Sequence, residues 1–309
     1  MALLPLFVLL LLAVAVGVGA SAVRGAPPSA ELAVAAARQH ARWTAAAAAL
    51  FGVAAAVGTA AVGTANDSFG PASDGVTALL VPVAFGLVHT TVLAIGELTW
   101  PRPVGQVRHA QLVRRGLLDA APRRLVRAGT ATVPFAALVL GAGALLADAD
   151  GRTFSVTAAG GAVGGAASPF AGADYSTPAA LGLLALAMAA LVTLRIVAER
   201  PAVSTGDDRI EAALRAASAH RVLRGAVGSA LIVVGGLLAV SGLALRNAST
   251  GAGDTARAYG LDVGVLTGAL PVTGAVLGVL GLALALAGLV LCAWCAPAVP
   301  ADRQPALGA

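Results

Sequence analysis

A histidine in the middle of an apolar run is the residue in this chain best placed to do chemistry. His89 precedes Thr90 and Thr91, follows Pro82 and Gly86, and sits in a stretch with no Asp, Glu, Lys or Arg from Gly75 to Gly96. An imidazole at such depth can relay a proton, ligate a metal or help bind haem. A metal or haem site needs further ligands, and no second histidine lies in any apolar run. The competing reading is a neutral ring hydrogen-bonded to a neighbouring helix or to its own threonine. Glu97, two turns on, joins His89, Thr90 and Thr91 as the start of a polar path, or else pairs with an arginine of another hairpin. Glu199, between Arg195 and Arg200, sits comparably and reads as a boundary anchor.

Cys292 and Cys295 form a C-x-x-C, the spacing of a redox pair in a thioredoxin-like unit. No βαβ pattern surrounds them, and the second Cys/His pair that a zinc site needs is missing. Two separate thiols at a helix end beside Trp294 explain them as well. Gly251-Ala252-Gly253-Asp254-Thr255-Ala256 superficially fits G-x-G-x-x-A but follows no strand. G-x-S-x-G, H-E-x-x-H and acidic metal clusters are absent from the sequence. No catalytic residue, cofactor or metal set is therefore assigned.

The elements that carry these residues are membrane spans. Only 11% of the 309 residues are charged and 58% are hydrophobic, whereas a soluble domain carries roughly a quarter charged. All 20 basic residues are arginine, which excludes a P-loop lysine and a lysine Schiff base. The net charge of +5 does not point to nucleic acid, because the arginines sit in short segments between apolar runs.

Crossing about 30 Å of hydrocarbon takes about 18 or more apolar residues. Windows at about 2–22, 43–64, 76–98, 128–147, 178–198, 225–245 and 268–293 qualify. Unpaired backbone is costly in lipid and no barrel-type alternation appears, so they read as helices. The expected fold is all-α: a polytopic transmembrane bundle of about seven spans in a single domain, 1–309. The first window also has a signal-peptide reading, since Ala20-Ser21-Ala22 resembles a cleavage site. Its positive charge follows the apolar run, at Arg24, which fits a retained helix.

Segments after the first, third, fifth and seventh windows hold 17 of the 20 arginines. The positive-inside rule then puts the N-terminus outside and the C-terminus in the cytoplasm of a plasma membrane. Arg102-Pro103 leads to Arg123-Arg124-Leu125-Val126-Arg127, and Arg200-Pro201 leads to Arg221-Val222-Leu223-Arg224. This pattern fits one lone helix followed by three tandem hairpins of shared orientation. Arginine-rich inner loops and proline-ended helices also arise without any repeat.

Residues 207–223 carry Ile210, Leu214 and Ala217 on one face, a Ser204/Asp207 capping spacing and a Glu211–Arg215 pair. Residues 104–118 set Val104, Leu112 and Leu118 among arginines. Both read as interfacial helices on anionic lipid, or as simple connectors with solvated arginines. Residues 148–177 are Gly-rich and read as a small β-hairpin near Thr153–Thr157 or as a mobile loop. Gly274 and Gly278 form a G-x-x-x-G, and Gly228, Gly235 and Gly236 line the sixth window. Such small residues suit packing within the bundle first and oligomerisation second.

Gly96-Glu97-Leu98-Thr99-Trp100-Pro101-Arg102-Pro103, followed by Val107-Arg108 and Leu112-Val113-Arg114-Arg115, is similar to a stretch of uncharacterised multi-spanning membrane proteins of actinobacteria. The resemblance covers about 20 residues. It implies lineage and location and brings no activity with it. The expected partners are the lipid bilayer, anionic lipid at the arginine-rich loops and other membrane proteins, with no nucleic acid. Three functions remain open: a non-enzymatic scaffold or subunit of an envelope complex, a small-solute or ion transporter with a polar path around His89 and Glu97, and a membrane enzyme, which would need polar residues from several helices to converge on one cavity facing a leaflet.

Overall fold

Apolar segments in lipid must satisfy their backbone groups internally, and each such segment within the described residues does so as one continuous α-helix. The computed structural model describes residues 31–65, 71–101, 116–203, 208–261 and 265–300. Its helices are α1 (Leu32–Ala65), α2 (Pro71–Leu98), α3 (Arg123–Leu146), α4 (Ala173–Glu199), α5 (Asp208–Ala258) and α6 (Val265–Ala293). All six are long and apolar enough to cross a membrane. The chain is a multi-pass helical membrane protein. The expected first span, 2–22, lies outside the described residues, as does the stretch 102–115.

Successive helices run in alternating directions, so one end of the bundle gathers Trp100, Arg200 and Trp294, and the other gathers the loop after α3. We call these the arginine end and the hairpin end. The hairpin expected near Thr153 is present: β1 (Phe154–Ala158) pairs antiparallel with β2 (Val163–Ala167), Val156 opposite Gly165. Asp150 anchors its base, accepting from the Arg152 and Thr153 amides and the Thr153 hydroxyl. The hairpin lies on the C-terminal part of α5, where Val163, Ala252 and Ala256 form a small buried cluster. Gly165 permits the approach, since a Cβ there would lie 2.9 Å from the Ala252 nitrogen.

The spans expected at 43–64 and 225–245 prove much longer. α5 has 51 residues, roughly 77 Å at 1.5 Å per residue, against about 40–45 Å for a whole bilayer. It therefore absorbs residues 208–223 of the segment that read as a separate interfacial helix. Ile210, Leu214 and Ala217 are buried inside the protein rather than laid on lipid. The reason is electrostatic: Glu211 and Arg215 neutralise one another inside the fold, so this face can be enclosed. Ser204 and Asp207 lie outside the described residues.

α5 is the hub. Its most apolar window is 56% buried, against 22% for α3 and 28% for α4 and for α6. α3 fully buries only Leu125, Thr132, Val139 and Gly143, with Val126, Phe135 and Leu140 partly buried beside them. α6 packs on α5 most closely of all, through glycines that bring the backbones together. Gly228 faces Gly288 and Cys292, Gly235 faces Gly281 and Ala285, and Gly242 faces Gly274 and Gly278. The G-x-x-x-G of α6 thus serves packing inside the bundle. α1 pairs with α2 and α5 with α6, as the hairpin plan expects. α4 instead rests chiefly on α2, and its contact with α3 is slight.

Candidate functional site: a buried charge lock and a polar seam

Helix α4 stops where Pro201 removes the next donor, which leaves carbonyls at its end in need of partners. Arg215 of α5 supplies them: Nη1 donates to the Val197 and Ala198 carbonyls at 3.0 and 2.8 Å, and Nη2 donates to the Arg200 carbonyl at 2.7 Å. Its Nε donates to Glu211 Oε1 at 2.8 Å, and Glu211 Oε2 accepts from the Val203 amide at 3.0 Å. The sequence places Glu211 and Arg215 one helical turn apart as a surface pair. The structure makes them a buried clamp that pins the chain between α4 and α5.

Arg200, just past the end of α4, turns inward. Its Nη1 donates to Glu97 Oε2 at 2.7 Å, and the two side chains are 1% and 8% exposed. Glu97 therefore does pair with an arginine from another hairpin. The guanidinium also stacks on Trp100, 3.7 Å from the ring centroid, a cation–π contact that burial strengthens. His40 of α1 meets Trp100 edge-on, and its Nε2–H donates to the Gly96 carbonyl at 2.8 Å. A carbonyl only accepts, so this bond fixes the tautomer of His40. Arg38 Nη2 donates to the Pro300 carbonyl at 2.6 Å, tying α1 to the segment after α6. Three helices and the segments beside them thus converge on one lock at the arginine end. Glu199 takes no part: it pairs with Arg195 at 2.5 Å with both side chains largely exposed.

From this lock a seam runs along the α2/α5 contact. Glu97 and Ser218 both meet Arg200. Leu93 and Val222 share a core cluster. His89 lies on Gly225, where a Cβ would sit 2.6 Å from Nδ1, and Gly86 lies on Ser229, where it would sit 2.7 Å from Oγ. The helices are antiparallel and in register over these steps, about 16 Å of helix from Glu97 to Gly86. His89 stacks on Phe85 at 5.5 Å between ring centroids and is 4% exposed. Among the described residues His89 Nδ1, Thr90 Oγ1 and Ser229 Oγ have no hydrogen-bond partner. Thr91 points the other way and is exposed. Beyond Gly86 the seam turns apolar: Leu79 and Val83 join Val233, Val234 and Leu237 in one buried cluster.

The structure thus brings Glu97 into the lock, holds His89 and Thr90 buried farther along α2, and leaves Thr91 outside. Cys292 is buried against Gly228, its Sγ 3.9 Å from the Arg224 carbonyl, while Cys295 is exposed, and both thiols are free. Arg224 Nη1 donates to the Trp294 carbonyl, and His220 meets the Trp294 ring edge-on. Among the described residues no three His, Cys, Asp or Glu side chains gather as a metal set. A half-open cleft of about 370 Å³ lies beside the clamp, walled by Asp119, Leu194, Asp208, Glu211 and Arg215. Sequence reasoning missed Trp100, His40 and Arg200 as one stack. The one available signal was Trp100 so close to Glu97 at a helix end. No protein family, curated protein or solved structure matches the chain.

Proposed function

We propose that this chain is a non-enzymatic structural protein of the plasma membrane, a scaffold or subunit of an envelope complex in an actinobacterium. The observation that carries this reading is how the polar groups are used. Charges at the arginine end bind one another and close helix ends, and the seam ends at an apolar cluster halfway along α2. Groups used in this way hold a shape. A solute path would need polar groups to continue to the other side.

The arginine end faces the cytoplasm in this reading, by the positive-inside rule, and the N-terminus is outside. A reporter after residue 160 is then external and one after residue 210 internal; the reverse result refutes the orientation. Anionic lipid gathers at the arginine-rich loops, and other membrane proteins complete the complex. Purification from native membranes tests the assignment, with metals and haem assayed in the same sample. A stoichiometric partner that stays bound through size exclusion is expected. A lone, metal-free protein removes the subunit reading.

The transporter reading draws on the unpartnered His89 Nδ1, Thr90 Oγ1 and Ser229 Oγ, which would line the inner half of a route in another conformation. It predicts ion or solute flux in proteoliposomes that His89→Phe abolishes. No flux above empty vesicles removes it.

A further inference from the structure

We propose that the arginine end of the α2/α5 seam binds a phosphate-type oxyanion, held by Arg200, Trp100 and Arg221. The site does not depend on the scaffold reading. Among the described residues, three buried donors there lack acceptors: Arg200 Nε, Arg200 Nη2 and Trp100 Nε1. Because Arg200 stacks on Trp100 at 3.7 Å, these donors belong to one contact pair. Nε and Nη2 form the side-on fork of a guanidinium, the edge that grips two oxygens of one anion. Nη1, on the other edge, is already given to Glu97. Glu211 Oε1 lies 3.8 Å from Nη2, beyond hydrogen-bond reach, and already accepts from Arg215. An arginine this buried with its free fork unmatched is costly unless an acceptor completes it.

Charge points the same way. Arg221, partly buried, lies one turn along α5 from Ser218, within electrostatic reach of Glu97, Arg200 and Arg224. Around Arg221, the three guanidinium groups of Arg200, Arg221 and Arg224 face the one carboxylate of Glu97, a local excess of two positive charges, while Asp119 and Asp208 line the cleft beside the Glu211–Arg215 pair. Arg215 is consumed by Glu211 and three carbonyls. Bound water would satisfy the donors and leave the charge. Chloride would reduce the charge without two oxygens for the fork. A phosphate group does both, and its charge of about −1.5 to −2 as a monoester matches the excess. Free inorganic phosphate carries nearly that charge and a diester lipid headgroup only a single negative charge, but both offer two oxygens to the fork, and the partly exposed Arg221 marks the side of entry.

The test uses the full chain, delipidated in a maltoside detergent free of phosphate. Thermal unfolding is followed against inorganic phosphate, against chloride at matched ionic strength, and against phosphatidylglycerol in mixed micelles. A saturable rise in Tm with phosphate, unmatched by chloride, is expected if the ligand is free phosphate. A rise with phosphatidylglycerol alone assigns a lipid headgroup. Arg221→Gln and Trp100→Phe remove one donor group each while leaving the Glu97–Arg200 pair in place. Either should weaken the anion response roughly tenfold, the scale of one charge-assisted hydrogen bond. No response to either ligand beyond chloride, or an unchanged affinity in both variants, overturns the site.

Discussion

Replacing Glu97 with glutamine tests whether the charge lock holds the bundle. Glu97 and Arg200 are 2.7 Å apart with 8% and 1% of their side chains exposed. At that spacing, with an effective dielectric constant near 20, the gross attraction is about 6 kcal/mol. Desolvation cancels part of it, but removing one partner of a buried pair strands the other charge and costs ~3–5 kcal/mol. Glutamine keeps one acceptor for Arg200 Nη1, so the loss should fall near the lower end, about 3 kcal/mol.

The chain carries its own control. Arg195 and Glu199 are closer, at 2.5 Å, but 64% and 59% exposed, and an exposed i,i+4 pair contributes ~0.3–0.5 kcal/mol. Reversible unfolding in mixed detergent and SDS micelles measures both variants. If burial sets the cost, Glu97→Gln loses several times what Glu199→Gln does. Glu97→Leu with Arg200→Met should then recover much of the loss, since an apolar pair removes the stranded charge. Equal small effects from Glu97→Gln and Glu199→Gln would mean that the lock is solvated and that burial does not govern its strength.

The α5/α6 seam predicts opposite outcomes at adjacent glycines. A Cβ on Gly235 would lie 2.6 Å from the Ala285 nitrogen, whereas one on Gly236 meets nothing within 4 Å. Gly235→Ala should lower stability by ~1–3 kcal/mol and Gly236→Ala should leave it unchanged or raise it by up to ~1 kcal/mol, read in the same unfolding assay. Gly165→Val should lift the hairpin from α5, seen as faster hydrogen exchange at Val156 and Val163 with α5 unchanged at its centre. At the hairpin base, hydrogen bonds from Thr153 and Arg152 hold the Asp150 carboxyl below its ordinary pKa. A depressed carboxylate stabilises its turn above the unfolded-state pKa and loses that contribution as pH falls through the folded value. Exchange at Arg152 and Thr153, corrected for intrinsic rates, should therefore quicken on acidification, and Asp150→Asn should flatten that dependence.

The spans were legible because hydropathy reports the one solvent that a membrane helix cannot avoid. The β-hairpin was legible from Thr153–Thr157 between glycine-rich stretches. Helix lengths were not. Arg38, Glu211 and Arg215 interrupt the apolar pattern, and a charge in a sequence reads as solvated until its partner is known. Nothing in composition or spacing joins Arg215 to the end of α4. Its partners there are the carbonyls of Val197, Ala198 and Arg200, which only the folded chain brings to it. Glu97 shows the intermediate case. Its need for an arginine was readable, but the choice of Arg200 depends on α4 lying against α2, which no local pattern encodes.

Along the α2/α5 seam of the described residues, polar groups give way halfway to a buried apolar cluster, and the proposed structural role rests on that closure. Single cysteines in a Cys292→Ala, Cys295→Ala background, probed with a membrane-impermeant thiol reagent from each side, test it. Leu118 and Leu261 are exposed at opposite ends and serve as reference positions. Leu118→Cys should label from one side only and Leu261→Cys from the other only, while Leu79→Cys, Val83→Cys and His89→Cys label from neither. Labelling at position 79 or 83, or of both reference positions from the same side, would contradict the closed bundle.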